Sequence, residues 1–153
     1  MTDDGTPRKL RAEYCFGCSD DNPEGLHLQF RKTEAGKVRG EITLRPELCG
    51  WKGVAHGGFV GLLIDEVTSW CMALCVEDGE RFATRELRVR YLRPTPTGEP
   101  LQLFGRLVED RGPTTDFIGE VRRQDGSLTA RGWVQIARLD RKKLDRFADM
   151  DRE

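Results

Sequence analysis

The chain has 153 residues, with 25 basic and 26 acidic side chains and a net charge of -1. That length fits one domain, and the near balance of charge gives no drive toward nucleic acid or an anionic membrane. Five cysteines, an odd number without paired spacing, argue against a secreted disulfide framework and for a reducing cytoplasm. Residues 1–5 show neither a basic n-region nor an apolar h-region, so no signal peptide is expected.

Residues 1–13 are polar and expected to be poorly ordered. The folded domain is expected over 14–139, with 140–153 a charged tail or short surface helix. Cys15 to Pro23 reads as a loop ending in turn residues. From Gly25 the chain alternates: Leu26, Leu28 and Phe30 face one way, and His27, Gln29 and Arg31 the other, as in a half-buried strand. A second strand follows, with Val38, Ile42 and Leu44 inward. Arg45 to His56 reads as a long irregular connection, a kind of segment that often carries function.

Residues 57–76 are almost wholly apolar and about long enough to span a bilayer. Asp65 and Glu66 sit in the middle, where two carboxylates would cost several kcal/mol in lipid, on the order of 3 each. The segment is therefore expected to be a helix buried in protein, ending near Asp78 and Gly79, and no membrane partner is expected. Four alternating runs follow. They hold Leu87, Val89 and Tyr91, then Leu101, Leu103 and Leu107, then Phe117 and Val121, and finally Leu128, Ala130, Val134 and Ile136. Short turns separate them, including Asp125-Gly126, a hairpin signal. Short turns imply antiparallel neighbours. The expected class is α+β, a curved antiparallel sheet of five to six strands wrapped around one long buried helix. No G-x-S-x-G, P-loop, G-x-G-x-x-G or H-E-x-x-H motif occurs.

Four groups of residues carry a resemblance. They are Cys15-Phe16-Gly17-Cys18 with Asn22-Pro23-Glu24-Gly25-Leu26-His27-Leu28; Val54-Ala55-His56-Gly57-Gly58 with Asp65 nine residues after His56; Tyr91-Leu92-Arg93-Pro94-Thr95-Pro96-Thr97-Gly98; and Gly126-Ser127-Leu128-Thr129-Ala130. Together they resemble the hotdog-fold acyl-CoA thioesterases, of the phenylacetate-degradation and 4-hydroxybenzoyl-CoA thioesterase kind. The resemblance implies a hotdog fold over about 14–138. It also implies a homodimer or a dimer of dimers, and hydrolysis of a coenzyme A or carrier-protein thioester. No cofactor is implied, coenzyme A being part of the substrate. The superfamily also holds dehydratases and non-catalytic acyl-CoA binders, so fold alone does not fix activity.

Thioester hydrolysis requires stabilised charge on the carbonyl oxygen and a nucleophile or activated water at the carbon. The helix start, at Gly57 and Gly58, offers backbone N–H groups and a positive dipole end. Asp65 and Glu66 both qualify as the carboxylate, pointing about 100° apart. The small, polar stripe of Gly58, Gly61, Leu62, Thr68 and Ser69 favours Asp65, as general base or nucleophile. The resemblance implies that this carboxylate works across a dimer interface. His56 serves either the loop before the helix or the substrate. Ser69 either positions water or bonds back to its own helix. Arg90, Arg93 and Arg111 are candidates for the phosphates of coenzyme A, because arginine forks suit phosphate. Cys15 and Cys18 have the spacing of half a zinc site, but no second pair follows. A set completed by Cys49 and His27 can be drawn without independent support, so loop packing is expected and no metal.

Overall fold

The computed structural model describes residues 13–76, 81–140 and 142. Within them, one six-stranded antiparallel sheet holds one long helix, as in the hotdog architecture. The strands are β1 (Phe30–Glu34), β2 (Lys37–Thr43), β5 (Arg81–Tyr91), β6 (Pro100–Asp110), β7 (Thr114–Arg123) and β8 (Leu128–Leu139), in the order β1-β2-β6-β7-β8-β5. The connection before the helix is more regular than expected. It forms a 3-10 turn at Pro46–Leu48 and a small ribbon of β3 (Cys49–Trp51) and β4 (Val54–Ala55).

The helix, α1, runs over Gly57–Cys75. It is apolar and long enough to cross a membrane by composition, yet Val60, Leu63, Ile64, Val67, Trp70, Cys71 and Met72 are buried against the sheet, so it is the core helix. Its expected end at Asp78 and Gly79 lies outside the described residues, as do 1–12, 141 and 143–153. The strand expected from Gly25 enters the ladder only at Phe30. The alternation before it is real, with Leu28 buried and His27 and Gln29 exposed, but His27 takes a positive φ of 51° that no ladder accommodates.

The helix can lie this close because one strip of the sheet beneath it carries no side chains. Gly105, Gly119 and Gly132 stand opposite one another on β6, β7 and β8. A Cβ on Gly105 would lie 2.7 Å from the Val67 carbonyl oxygen, and one on Gly132 would lie 2.6 Å from Ile64 Cγ2. Around this strip Leu103, Phe117, Val121, Val134 and Ile136 close the core without solvent exposure. The far end of the sheet is pinned by charge. Arg138 grips Asp110 with both nitrogens, at 2.8 and 3.0 Å, beside the β6–β7 turn.

Two expectations follow. Gly105→Ala should destabilise by about 1–3 kcal/mol through overpacking, outweighing the ~0.4–1 kcal/mol that alanine gains by restricting the unfolded chain. Urea unfolding reads this, and an unchanged midpoint would contradict the close approach. The Asp110 carboxyl is held below its usual range, first by Arg138 and then by the Gly112 N–H. A depressed carboxyl contributes stability above its unfolded pKa and loses it as pH falls through the folded value. Asp110→Asn should therefore lower stability at pH 7, by under about 1 kcal/mol for so exposed a pair. The deficit should close as acid protonates the wild-type group.

Candidate active site

Three of the sequence motifs meet at the start of α1. The Ala55 N–H donates to the Thr95 carbonyl at 2.8 Å, and the His56 N–H to the Leu48 carbonyl at 2.9 Å. The N–H groups of Leu92 and Arg93 both donate to the Thr129 carbonyl, at 2.8 and 3.1 Å. The Thr95 and Thr129 hydroxyls bond at 2.9 Å in a buried position. The loop before the helix is thus tied to the Pro-rich segment after β5 and to the start of β8.

His56 caps the helix, its Nδ1 accepting the Gly58 N–H at 2.9 Å. This is the structural alternative for His56, and it occupies one of the two candidate amides. The Gly57 N–H has no acceptor among the described residues, so it is the amide left for a ligand. The Tyr91 hydroxyl donates to the Gly57 carbonyl at 2.7 Å and fixes the first turn from the opposite side.

From this turn an open cleft of about 530 Å³ follows the helix, lined by Gly57, Gly58, Gly61, Leu62, Asp65, Leu87, Val89 and Tyr91. Asp65 faces this cleft, and its Oδ1 accepts the Thr84 hydroxyl at 2.6 Å. Glu66 turns away, toward Cys15, whose thiol lies 3.5 Å from its Oε1. Burial pushes the Glu66 carboxyl above its usual range, with the two thiols and Trp70 opposing that rise and the charge of Asp65 adding to it. Ser69 is half-buried and does not line the cleft. The hydroxyl that bonds back along the helix is that of Thr68, to the carbonyls of Ile64 and Asp65, both at 3.0 Å.

Thr84 is the residue that sequence reading missed, and the cause is a bulge. Thr84 pairs with Ile136 and Glu86 with Gln135, so Arg85 is an extra residue between them. Counting back from Tyr91, Val89 and Leu87 by twos places Arg85 on the helix side. The bulge resets the phase and turns Thr84 inward instead.

The three arginines do not form one phosphate site. Arg90 alternates with cleft-lining Val89 and Tyr91, so it projects from the opposite face of β5. On that outer face Arg88 stacks over Trp133, 4.2 Å from the ring centroid. Arg93 donates to the Leu128 carbonyl at 2.9 Å. Arg111 lies at the other end of the sheet, its charge matched by Glu109 and nearly buried Asp116. Arg90 pairs with Arg131, and Asp116 with Gln135, four residues further along β8, on the order of 13 Å. Within the single chain, Arg90 thus faces away from the cleft and Arg111 is already paired with acids.

Comparison with known proteins agrees with this fold. A family model described as the thioesterase superfamily matches residues 52–134. A protein of Saccharolobus solfataricus, named provisionally as an esterase, is 30% identical over 120 residues, 78% of this chain and 84% of its own length. A crystal structure of the thioesterase superfamily protein RHA08564 superposes with a TM-score of 0.69 at 32% identity, covering 75% of this chain and 58% of that one. This chain therefore spans under two thirds of that protein. The smu.793 protein of Streptococcus mutans, solved bound to acetyl CoA, matches at TM-score 0.64 and 21% identity over 73% of this chain and 88% of its own, a likeness of fold. The chain belongs to the thioesterase superfamily and has its hotdog fold.

If Tyr91 holds the helix start, Tyr91→Phe should lower stability by about 0.5–1.5 kcal/mol, the usual net worth of one such bond. A urea midpoint equal to wild type would show that the bond adds nothing.

Proposed function

We propose that this protein hydrolyses acyl- or aryl-CoA thioesters, or the equivalent carrier-protein conjugates. The observation that supports it most is that Asp65 and Gly57, whose N–H has no acceptor among the described residues, line one cleft. In this reading the thioester carbonyl lies against the Gly57 N–H, where the helix dipole favours growing negative charge. Asp65 either takes a proton from an attacking water or attacks the carbonyl carbon itself. If water attacks, the C–S bond breaks, the thiolate takes up the proton held by Asp65 and the acid is released. If Asp65 attacks, the C–S bond breaks to leave a mixed anhydride on Asp65, the thiolate takes a proton from solvent, and water then hydrolyses the anhydride to release the acid. Thr84 orients the carboxylate through its 2.6 Å bond, leaving the second carboxylate oxygen for the reaction. His56 acts indirectly, by holding the first turn through Gly58.

A second copy of the chain is the partner this reading requires. The cleft is open along β5, an edge strand of the sheet. Leu87 and Tyr91 on that strand are 39% and 54% exposed, more apolar surface than a closed site would leave. A homodimer covering this edge would exclude water from the carbonyl, and a monomer would be inactive. Coenzyme A as the thiol is supported by the acetyl CoA bound to the Streptococcus mutans protein of the same fold.

The test is thiol release from a panel of acyl- and aryl-CoAs. Asp65→Asn should lose at least ~10²-fold in kcat/KM. Thr84→Val should lower kcat about tenfold with little change in KM, since a hydrogen bond to a charged group is worth about 1.5–3 kcal/mol. Full activity in Asp65→Asn would remove this carboxylate from the reaction. Tight binding of CoA esters without turnover would make the protein a binder instead.

A further inference from the structure

The second carboxylate of the helix, Glu66, plays no part in the proposed reaction, yet it sits in a site of its own. The Cys-x-x-Cys turn folds back onto the helix so that Cys15 Sγ, Cys18 Sγ and a Glu66 carboxylate oxygen all lie within 4.8 Å of one another. We propose that Cys15, Cys18 and Glu66 bind a single divalent cation of the zinc class, with solvent in the fourth position.

Ligand spacing supports this directly. A tetrahedral ion about 2.3 Å from sulfur and about 2.0 Å from oxygen holds its ligand atoms roughly 3.5–3.8 Å apart. The two sulfurs lie 3.3 Å apart, and Cys15 Sγ lies 3.5 Å from Glu66 Oε1. Little movement is needed to admit the ion. Two thiolates with one carboxylate also select a borderline-soft metal over magnesium or calcium.

The turn is built to hold this arrangement. The Ser19 N–H closes it onto the Cys15 carbonyl at 3.0 Å, while Leu26 and Leu28 donate to the carbonyls of Phe16 and Gly17 at 2.7 and 2.9 Å. Gly17 lies flat on the carboxylate. A Cβ there would stand 2.2 Å from Glu66 Cδ, so only glycine lets the acid reach between the two sulfurs.

Charge gives an independent reason. Glu66 is half-buried, and among the described residues no lysine or arginine pairs with it. A carboxylate drawn partly out of water gains from a cation beside it, and a metal held with the two thiols would supply one. Cys18 also borders a cavity of about 390 Å³ with Leu28, Phe30 and Trp70, which gives solvent a route to the fourth position. Cys49 and His27, the partners drawn from sequence, are not used. His27 Nε2 lies 2.7 Å from the Asn22 carbonyl, and Cys49 is not in the cluster. The missing ligand came from the helix, where spacing along the chain could not reveal it.

The experiment uses the full chain, reduced, stripped with chelator and titrated with Zn²⁺ or Co²⁺. One equivalent of metal should be retained after desalting, and Co²⁺ should give thiolate-to-metal charge-transfer absorption. A hundredfold excess of Zn²⁺ over its Kd should raise Tm by at least about 5 °C. Cys18→Ser and Glu66→Gln should each weaken binding at least tenfold, and Cys49→Ser should not. The proposal is overturned if the reduced wild-type protein retains no stoichiometric metal, if Cys18→Ser and Glu66→Gln bind as wild type does, or if the protein as isolated carries a Cys15–Cys18 disulfide.

Discussion

The site rests on how closely α1 approaches the sheet. Three glycines in register on three neighbouring strands leave a bare strip, and the backbone of Val67 and the side chain of Ile64 settle onto it. That contact fixes the rotation of the helix as well as its depth. With Ile64 and Val67 pressed down, Asp65 is turned toward β5 and its cleft, and Glu66, about 100° round, is turned toward the cysteine turn. A helix lifted by one methyl group would move both acids together.

Two adjacent carboxylates therefore stand in opposite surroundings. Asp65 lies in an open cleft beside the helix start, within reach of a hydroxyl and of solvent. Glu66 is packed among two thiols and Trp70, where burial raises its carboxyl above the usual range. The first environment suits a group that must meet substrate. The second suits one that holds the N-terminal turn against the core.

Much of this was legible in the sequence because it follows from local periodicity. Alternation located β2 and β5 through β8, and the apolar run with two central acids identified a buried helix. The small-residue stripe on one side of that helix picked out Asp65, and Gly58, Gly61 and Leu62 do line its cleft. What escaped depends on pairing across the sheet. The glycine strip exists only once Gly105, Gly119 and Gly132 are in register, although they are 14 and 13 residues apart in the chain. Thr84 was hidden by a bulge that reverses the alternation from which it would have been read. The arginines could not be placed from sequence, because charge on a strand reports a solvated face without saying which face carries the site. His56 had two open readings, and the bond from Gly58 supports the one in which it holds the loop and the first turn.

The central claim is that a thioester carbonyl is held at the tip of α1 with Asp65 at its carbon. The most direct measurement is a crystal structure with a CoA ester analogue in which the sulfur is replaced by a methylene group. The account predicts the analogue's carbonyl oxygen within hydrogen-bonding distance of the Gly57 N–H and the Asp65 carboxylate against the carbonyl carbon. An acyl group seated in the cavity beside Trp70, or on the outer face of the sheet beside Arg90, would contradict it.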